Sequence, residues 1–268
     1  MSSDLTQFRA VDQTANPGSF VQFMEAAHAQ ATAQSYKQII MEQLALQEGA
    51  TILDVGCGAG QDTLDLARAV GPHGRVVGID TSETMLEAAR AHALQTQLPV
   101  EYLRADATRL PFPDASFDGC LSSRVLGHLH KPEQAVAEMA RVARPGARIV
   151  VADGDLDLIA LDIPDRALAR KMIHTVCDQM TQGWIGRQVP GLLRAAGLDT
   201  LRIEGRLMPL DYTLFQRTFS GILQGARAAG AVLEEDLDHF WKLLEQAERE
   251  QRFFARVGGF VVSGRKPS

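Results

Sequence analysis

Apolar residues between positions 51 and 151 alternate between two patterns. Short, nearly continuous apolar runs predict buried strands at 51–55, 75–79, 100–103, 117–121 and 147–151. Segments between them carry apolar residues at helical spacing, for example Leu64, Ala67 and Val70. Strands that alternate with helices predict a parallel sheet covered by helices on both faces. The pattern therefore predicts an α/β fold with a doubly wound, mostly parallel sheet.

The flanks of this region are mostly helical. Helices are predicted over 20–46, over 168–180 and near Leu192, and a late strand is predicted over 201–207. Two amphipathic helices and a last strand at 259–263 follow. We find no linker, so we predict one domain, 1–268. Its predicted parts are an N-terminal helical lid (1–49), a cofactor-binding core (50–155), acceptor-side helices with a late strand (156–251) and a C-terminal strand (252–268).

Charge and cysteine content narrow the possible partners. The chain has 27 Lys and Arg against 33 Asp and Glu, whereas nucleic-acid binders usually carry a basic surplus. No apolar run approaches the ~20 residues that cross a bilayer, and the first residues do not resemble a signal peptide. The three cysteines lie far apart and form no metal-ligand pair. We expect a cytoplasmic protein without metal, nucleic acid or membrane partners, as a monomer or homodimer.

A glycine-rich loop, 54–60, directly follows the first predicted strand and precedes a helix. Glycines at this place let the backbone turn sharply and approach a ligand closely. Asp80 ends the second predicted strand, where an acidic side chain accepts hydrogen bonds from ribose hydroxyls. The loop, its context and the placed acid together predict a nucleoside-bearing cofactor. The alternatives are a tight turn without ligand and carboxylates that only cap a helix or a turn.

Charge and glycine spacing distinguish between possible cofactors. A dinucleotide loop reads G-x-G-x-x-G and leaves a helix N-terminus free for pyrophosphate. Here the loop has tighter glycines, and Asp54 stands two residues before Gly56, where a carboxylate would repel a pyrophosphate. S-adenosylmethionine has no phosphate and carries an ammonium and a sulfonium. The pattern therefore favours S-adenosylmethionine over a nicotinamide dinucleotide.

Four ordered motifs resemble those of class I S-adenosylmethionine-dependent methyltransferases, most closely the ubiquinone/menaquinone and natural-product group. They are LDVGCGAG at 53–60, DTSETM at 80–85, DA at 106–107 with LPFPDASFD at 110–118, and RVARPGA at 141–147. The resemblance covers 50–151 and implies a Rossmann-like methyltransferase fold with a seven-stranded sheet, N-terminal helices and a helical insertion after the fifth strand. It implies that the last strand is antiparallel and that the product is S-adenosylhomocysteine.

The resemblance also implies a set of cofactor-binding residues. Glycines of the loop would meet the methionine and ribose portions, Asp80 the ribose, and Asp106 the adenine amino group. The residues to which the resemblance assigns cofactor contacts are Tyr36, Asp54, Gly56, Gly58, Gly60, Asp80, Met85, Asp106, Ala107 and Arg124. Tyr36 and Met85 could instead be core residues, and Arg124 could instead form an ion pair with a carboxylate and make no cofactor contact.

Candidates for the acceptor side follow the fourth and fifth predicted strands. His128 would lie at the mouth of the site, where a neutral imidazole could take a proton from an acceptor hydroxyl. Asp155, in a run of three alternate aspartates, is a second catalytic candidate, although a solvated turn carboxylate fits the pattern too. Trp184 and Arg187 could frame a planar or acidic acceptor, or they could belong to a turn between helices.

The predicted function is methylation of a small-molecule acceptor, in the first place at a hydroxyl of a natural-product or quinone-like scaffold. C- and N-methylation stay open, since the motifs concern the donor. The alternatives are a nicotinamide-dependent reductase, which the glycine spacing disfavours, and a non-catalytic protein that binds S-adenosylmethionine.

Overall fold

The structure is a computed structural model that describes residues 5–28 and 31–268. Seven strands form one sheet in the order β3-β2-β1-β4-β5-β7-β6. Their bounds are Thr51–Val55 (β1), Arg75–Asp80 (β2), Val100–Arg104 (β3), Phe117–Ser123 (β4), Ala143–Leu161 (β5), Asp199–Leu210 (β6) and Ala255–Arg265 (β7).

Helices flank this sheet. The α-helices are Gly18–His28 (α1), Ala31–Leu44 (α2), Gln61–Val70 (α3), Glu83–Leu94 (α4), Pro132–Val142 (α5), Arg166–Gln179 (α6), Ile185–Ala195 (α7), Tyr212–Ala228 (α8) and Glu234–Arg249 (α9). Two 3₁₀ segments, Leu5–Gln13 and Leu126–His128, complete the described elements. No helix within 5–28 and 31–268 is long and apolar enough to cross a membrane.

The pairing of the strands confirms the predicted fold class. β1 pairs in parallel with β2 and β4, and β5 continues the parallel set beyond β4. β7 lies antiparallel between β5 and β6. Parallel neighbours need crossover helices, so the helices cover the faces and the strands become apolar throughout. In β1, Leu53 and Val55 are fully buried.

All seven predicted strands are present, but β5 is much longer than its apolar run. The prediction ended at Val151, whereas the strand runs on to Leu161 because β7 pairs with it along its length. A shift in register between Asp155 and Ile159 marks where the extended part bends away. The predicted helix over 20–46 is two helices, α1 and α2, and positions 29 and 30 within it lie outside the described residues. Residues 1–4 of the predicted lid lie outside them too.

Two apolar cores stabilise different parts of the chain. One packs α5 and α7 against the parallel strands, with Phe117 and Met139 fully buried. The other joins α6, α8 and α9 through Phe219, Phe240 and Leu244. The helices after β5 therefore pack on one another as well as on the sheet. The division into four functional parts stays a prediction.

An ion-pair cluster attaches α2 to α3. The Lys37 ammonium lies 2.6 Å from Asp62 Oδ1 and 2.8 Å from Asp65 Oδ2, and Lys37 is only 9% exposed. Burial alone would raise the pKa of the Asp62 carboxyl, but the charges of Lys37 and Arg124 lower it. The cluster matters for the site because α3 begins directly after the glycine loop.

We expect Lys37→Ala to lower the free energy of unfolding by about 3–5 kcal/mol, because it leaves the largely buried Asp62 carboxylate without its ion-pair partner, whereas Asp65 keeps Arg68. Urea denaturation at pH 7 measures this. Lys171→Ala is the matched control: its pair with Asp236 is exposed, so we expect a loss of about 1 kcal/mol or less. Equal losses in the two variants would contradict a structural role for the cluster.

Candidate active site

A cavity of about 720 Å³ lies at the carboxyl ends of the parallel strands. The ends of β1, β2, β4 and β5 meet at this edge, and the N-terminal 3₁₀ segment and the late helices surround it. Of the residues predicted for the site, those that line the cavity are Tyr36, Gly56, Gly58, Asp80, Met85, Asp106, Ala107, Arg124 and His128. Ligand cavities in proteins commonly measure about 300–1,000 Å³, so this one suits a small molecule.

The glycine loop turns against the end of β2. The backbone amides of Gly56 and Cys57 both donate to the Ile79 carbonyl, at 2.8 and 2.9 Å. Gly56 has φ +71°, and a Cβ there would lie 2.4 Å from Val125 Cγ2. Gly58 has φ +53°, yet the nearest atom to a Cβ would be Met24 Cε at 3.9 Å. Gly56 therefore serves close packing, while Gly58 leaves open space above the loop.

Asp80 joins the glycine loop to the start of α4. Its Oδ2 accepts from the Gly58 amide at 3.0 Å, and its Oδ1 accepts from the Ser82 amide at 2.9 Å. Burial raises the pKa of the Asp80 carboxyl, although these amides favour its charged form. Each carboxylate oxygen can accept more than one hydrogen bond, so Asp80 can still receive hydroxyl donors from the cavity.

The opposite wall of the loop region comes from the segment after β3. Asp106 Oδ1 accepts from the amide and the hydroxyl of Thr108, both at 2.8 Å, in an Asx turn. This turn places Ala107, which is buried, and the exposed Asp106 on the cavity wall. Met85 on α4 is 2% exposed, packs with Val11 and Phe20, and lines the same cavity. Asp106 therefore has the turn role that the sequence offered as an alternative, and it lines the cavity as well.

Two predicted cofactor residues, Asp54 and Gly60, are not among the described residues that line the cavity. Asp54 is 2% exposed and accepts from Thr63 Oγ1 at 2.6 Å. A Cβ at Gly60 would lie 2.5 Å from Tyr102 Oη and 2.9 Å from Ala89 Cβ, so Gly60 permits close packing of the loop. The structure corrects the prediction that Asp54 and Gly60 line the site. Both residues stabilise the loop on its side away from the cavity.

The position of Asp54 also changes the argument from charge. The sequence predicts its carboxylate beside the cofactor, but Asp54 is buried against Thr63, outside the described cavity lining, and burial raises its pKa to about 7. Of the two carboxyl groups Asp54 and Asp80, Asp80 is the one that lines the cavity.

The loop after β4 carries Arg124 and His128. Arg124 has φ +61°, and its amide donates to the Ala152 carbonyl at 2.7 Å, which ties the loop to β5. His128 is half-buried on the cavity wall, with its ring stacked on Phe8 at 5.5 Å between centroids. Burial, with the charge of Arg124, lowers the pKa of His128 to about 4. The imidazole is therefore neutral at pH 7. Its catalytic role stays a prediction.

The structure corrects the choice of Asp155 as the acidic residue of the site. The Asp155 carboxylate is fully buried and bound by the Arg187 guanidinium, at 2.5 and 2.6 Å. Asp153, two residues earlier, is the aspartate of β5 that lines the cavity. Both side chains point to the same face of the strand, but Asp155 lies farther along it, where α7 begins.

Trp184 and Arg187, which were predicted to frame the acceptor, also lie outside the described cavity lining. The Arg187 guanidinium lies over the Trp184 ring at 4.8 Å from its centroid, and Trp184 is 51% exposed. With Asp155 they attach α7 to the end of β5. Trp184 ends the turn between α6 and α7 and Arg187 lies in the first turn of α7, which is the structural role that the sequence offered as the alternative. They support the cavity wall without lining it.

The sequence analysis includes the N-terminal 3₁₀ segment in the predicted lid, 1–49, but predicts neither this element nor any site residue in it. Phe8, Arg9, Ala10 and Val11 line the cavity. Asp12 accepts from Ser82 Oγ at 2.6 Å and from the Glu83 amide at 2.8 Å, so it caps α4 from 71 residues away. The segment is too short to show a regular spacing of apolar residues. The signal in the sequence is limited to a few apolar residues, such as Phe8 and Val11, in a mostly polar stretch.

Comparison with known proteins decides the family. A family model described as a methyltransferase domain matches residues 53–151, which span the glycine loop, Asp80 and Asp106. The chain carries a class I methyltransferase domain. This confirms the predicted family and its cofactor, S-adenosylmethionine. The roles of the individual residues stay predictions.

The methyltransferase domain also resembles longer proteins and a solved structure. An uncharacterised 37.1 kDa protein in transposon Tn4556 of Streptomyces fradiae is 40% identical over 66% of this chain and 51% of its own length. Methyltransferase GfsG of Streptomyces halstedii is 34% identical over 61% of this chain and 58% of its own. The chain thus spans about half the length of these relatives. The crystal structure of the YcgJ protein from Bacillus subtilis superposes with a TM-score of 0.62, covering 88% of this chain and 99% of that one; its 18% identity shows the shared fold alone.

We expect the buried Asp54 carboxyl to make stability depend on pH. Its folded pKa, about 7, lies above the ordinary value of 3.8, so its favourable contribution is present below about pH 4 and is lost as the pH rises to 7. Urea unfolding of the wild type and of Asp54→Asn should show the wild type losing at least about 1 kcal/mol relative to the variant between pH 4.5 and 7.5. A constant difference between the two proteins would contradict the raised pKa.

Proposed function

We propose that this protein binds S-adenosylmethionine in the cavity and transfers its methyl group to a hydroxyl of a small-molecule acceptor with a natural-product or quinone-like scaffold. The observation that carries the proposal is the Asp80 carboxylate, held by the amides of Gly58 and Ser82 at the cavity wall inside a methyltransferase domain. The likeness to Methyltransferase GfsG supports methyl transfer as the reaction.

The described residues fit the donor. Gly58 leaves space for a ligand next to the loop, and Asp80 offers acceptors to the ribose hydroxyls. Asp106 and Ala107 are placed for the adenine edge, with Met85 against its face. Tyr36 and Arg124 border the part of the cavity between β4 and α2, which is the proposed place of the methionine end.

The chain's own contribution to the chemistry is mainly positioning. When bound, S-adenosylmethionine supplies a methyl group already activated on sulfonium. Holding donor and acceptor in line can lower the barrier by roughly 7–11 kcal/mol through effective molarity. The N-terminal 3₁₀ segment contacts α4 through Asp12 and the loop after β4 through Phe8, so it covers one side of the cavity and limits the access of water there.

Titration calorimetry with S-adenosylhomocysteine, and with NADH as the rival cofactor, tests the donor site. We expect S-adenosylhomocysteine to bind and NADH not to bind. Formation of S-adenosylhomocysteine from S-adenosylmethionine with an acceptor panel, followed by mass spectrometry, then separates an enzyme from a protein that only binds the donor. Mass increments on carbon or nitrogen instead of oxygen would contradict the hydroxyl assignment.

We propose the cytoplasm as the place of the reaction, and monomer or homodimer stays the predicted state.

We expect Asp80→Ala to weaken S-adenosylhomocysteine about ten- to a hundredfold, because hydrogen bonds to a charged group are worth about 1.5–3 kcal/mol. Glu83→Ala is the matched control: this carboxylate at the start of α4, three residues after Asp80, pairs with Arg90 and lies outside the described cavity lining, so we expect unchanged affinity. Thermal unfolding checks that both variants fold. Full affinity in a folded Asp80→Ala variant would sink the proposed donor site.

A further inference from the structure

The cavity has two parts that differ in charge. Ionisable side chains lie along the glycine loop, the N-terminal segment and the loop after β4. The cavity residues that follow Asp153 in the described chain include no ionisable side chain. Most of them are large and apolar, contributed by five different elements and the connection between α6 and α7: Leu156, Met180, Ile185, Met208, Phe219 and Val257.

The charges that do border the cavity confine a charged ligand to the rim. Arg9, Arg124 and Lys131 line it and are exposed to solvent. A ligand carboxylate or phosphate inside the apolar part would find no cation there, and an isolated buried charge is costly. The thioether side chains of Met180 and Met208 adapt to irregular apolar shapes. The part beyond Asp153 therefore suits an uncharged, largely apolar body.

Asp153 stands at the boundary between the two parts. It is 4% exposed, and its Oδ2 accepts from the Leu126 amide at 3.1 Å. A Cβ on Gly127 would lie 3.6 Å from Asp153 Oδ1, in ordinary van der Waals contact, so the loop with His128 passes directly beside this oxygen. Beside it, the buried hydroxyl of Ser123 has no hydrogen-bond partner among the described residues. Two polar groups thus sit at the edge of an apolar compartment.

We infer that the acceptor is an uncharged, largely apolar molecule that presents one hydroxyl to Asp153, and that the Asp153 carboxylate takes the hydroxyl proton. The inference rests on the proposed methyl transfer. The hydroxyl oxygen forms the new bond to the methyl carbon, the methyl–sulfur bond breaks with its electron pair going to sulfur, and the proton goes to an Asp153 oxygen. No further reactant is needed.

The surroundings of Asp153 suit this role. Burial raises the pKa of Asp153 to about 7, even though the amides of Leu126, Gly127 and Val125 favour the carboxylate. The charged and titratable groups that face it are Arg124 and His128 from the loop after β4 and Tyr36 from α2. A base is most useful when its pKa lies near the working pH, a condition that His128, with a pKa of about 4, does not meet.

Two bicyclic probes of one size test the class of acceptor. Wild-type protein saturated with S-adenosylhomocysteine is titrated with 2-naphthol and with 2-naphthoate. We expect 2-naphthol to bind at least about tenfold more tightly, because the carboxylate would be buried without a cation. Equal or tighter binding of 2-naphthoate, or no binding of 2-naphthol, would overturn the inference. Failure of S-adenosylhomocysteine to bind would instead overturn the proposed function.

Variants then test the proton acceptor with 2-naphthol and S-adenosylmethionine. The wild-type rate of methyl-ether formation should fall as the pH drops below about 7, because the carboxylate form is the active one. Asp153→Asn, which keeps an acceptor for the Leu126 amide, should slow turnover about 100- to 10,000-fold and abolish that acid limb, with probe affinity changed less than about threefold.

Two comparison variants make the result specific. Asp157→Asn removes a carboxylate from the same strand outside the described cavity lining and should keep the rate and the pH profile. His128→Asn should keep the acid limb near pH 7. A folded Asp153→Asn variant with a wild-type rate, an acid limb lost in His128→Asn instead, or no methyl ether from bound 2-naphthol would each overturn the assignment.

Discussion

Parallel pairing of β1, β2, β4 and β5 is the constraint on which the rest of the structure depends. Parallel strands end at the same edge of the sheet. Groups that are far apart in the sequence therefore become neighbours at this edge. The glycine loop follows β1, Asp80 ends β2, a loop with Arg124 and His128 follows β4, and Asp153 lies in β5 directly after its last pair with β4. Each of these positions adds one kind of group to the cavity: a backbone turn, an acceptor carboxylate, a polar loop and a buried carboxylate.

Backbone amides hold the carboxylates at this edge. Asp80 accepts from the amides of Gly58 and Ser82, and Asp153 from that of Leu126. The same bonds fix the direction in which the loops leave the sheet. Burial and hydrogen bonding oppose each other in both residues, and burial prevails, so the pKa of each carboxyl is raised. Asp153, with a pKa of about 7, can therefore change charge near neutral pH, which exposed carboxylates do not do.

The sequence predicts the strands, the family and the donor side because each of these is a local pattern. Apolar runs mark the strands, and the motifs lie within a few residues of the strand ends. Asp54 and Gly60 carry the pattern too, but a motif does not say which of its residues face the ligand and which face the loop. The choice of Asp155 over Asp153 failed for a different reason. It depends on how far β5 extends and on Arg187, which is 32 residues away and becomes a partner only once α7 packs on the strand. Capping of α4 by Asp12 is non-local in the same way.

The antiparallel insertion of β7 between β5 and β6 has a consequence for the order of folding. β6 has β7 as its neighbour in the sheet and is made before it, so its backbone groups wait for a partner that arrives 45 residues later. The parallel pairs among β1 to β5 have no such delay, since both strands of each pair precede the late helices, and of these strands β5 alone also waits for β7 on its outer edge. The half of the molecule that carries the glycine loop can therefore assemble during synthesis, whereas the apolar compartment closes only when β7 is available. Until then an unpaired strand edge and the core side chains of α8 and α9 are exposed together, which makes this interval the one in which the nascent chain is most open to association with other chains.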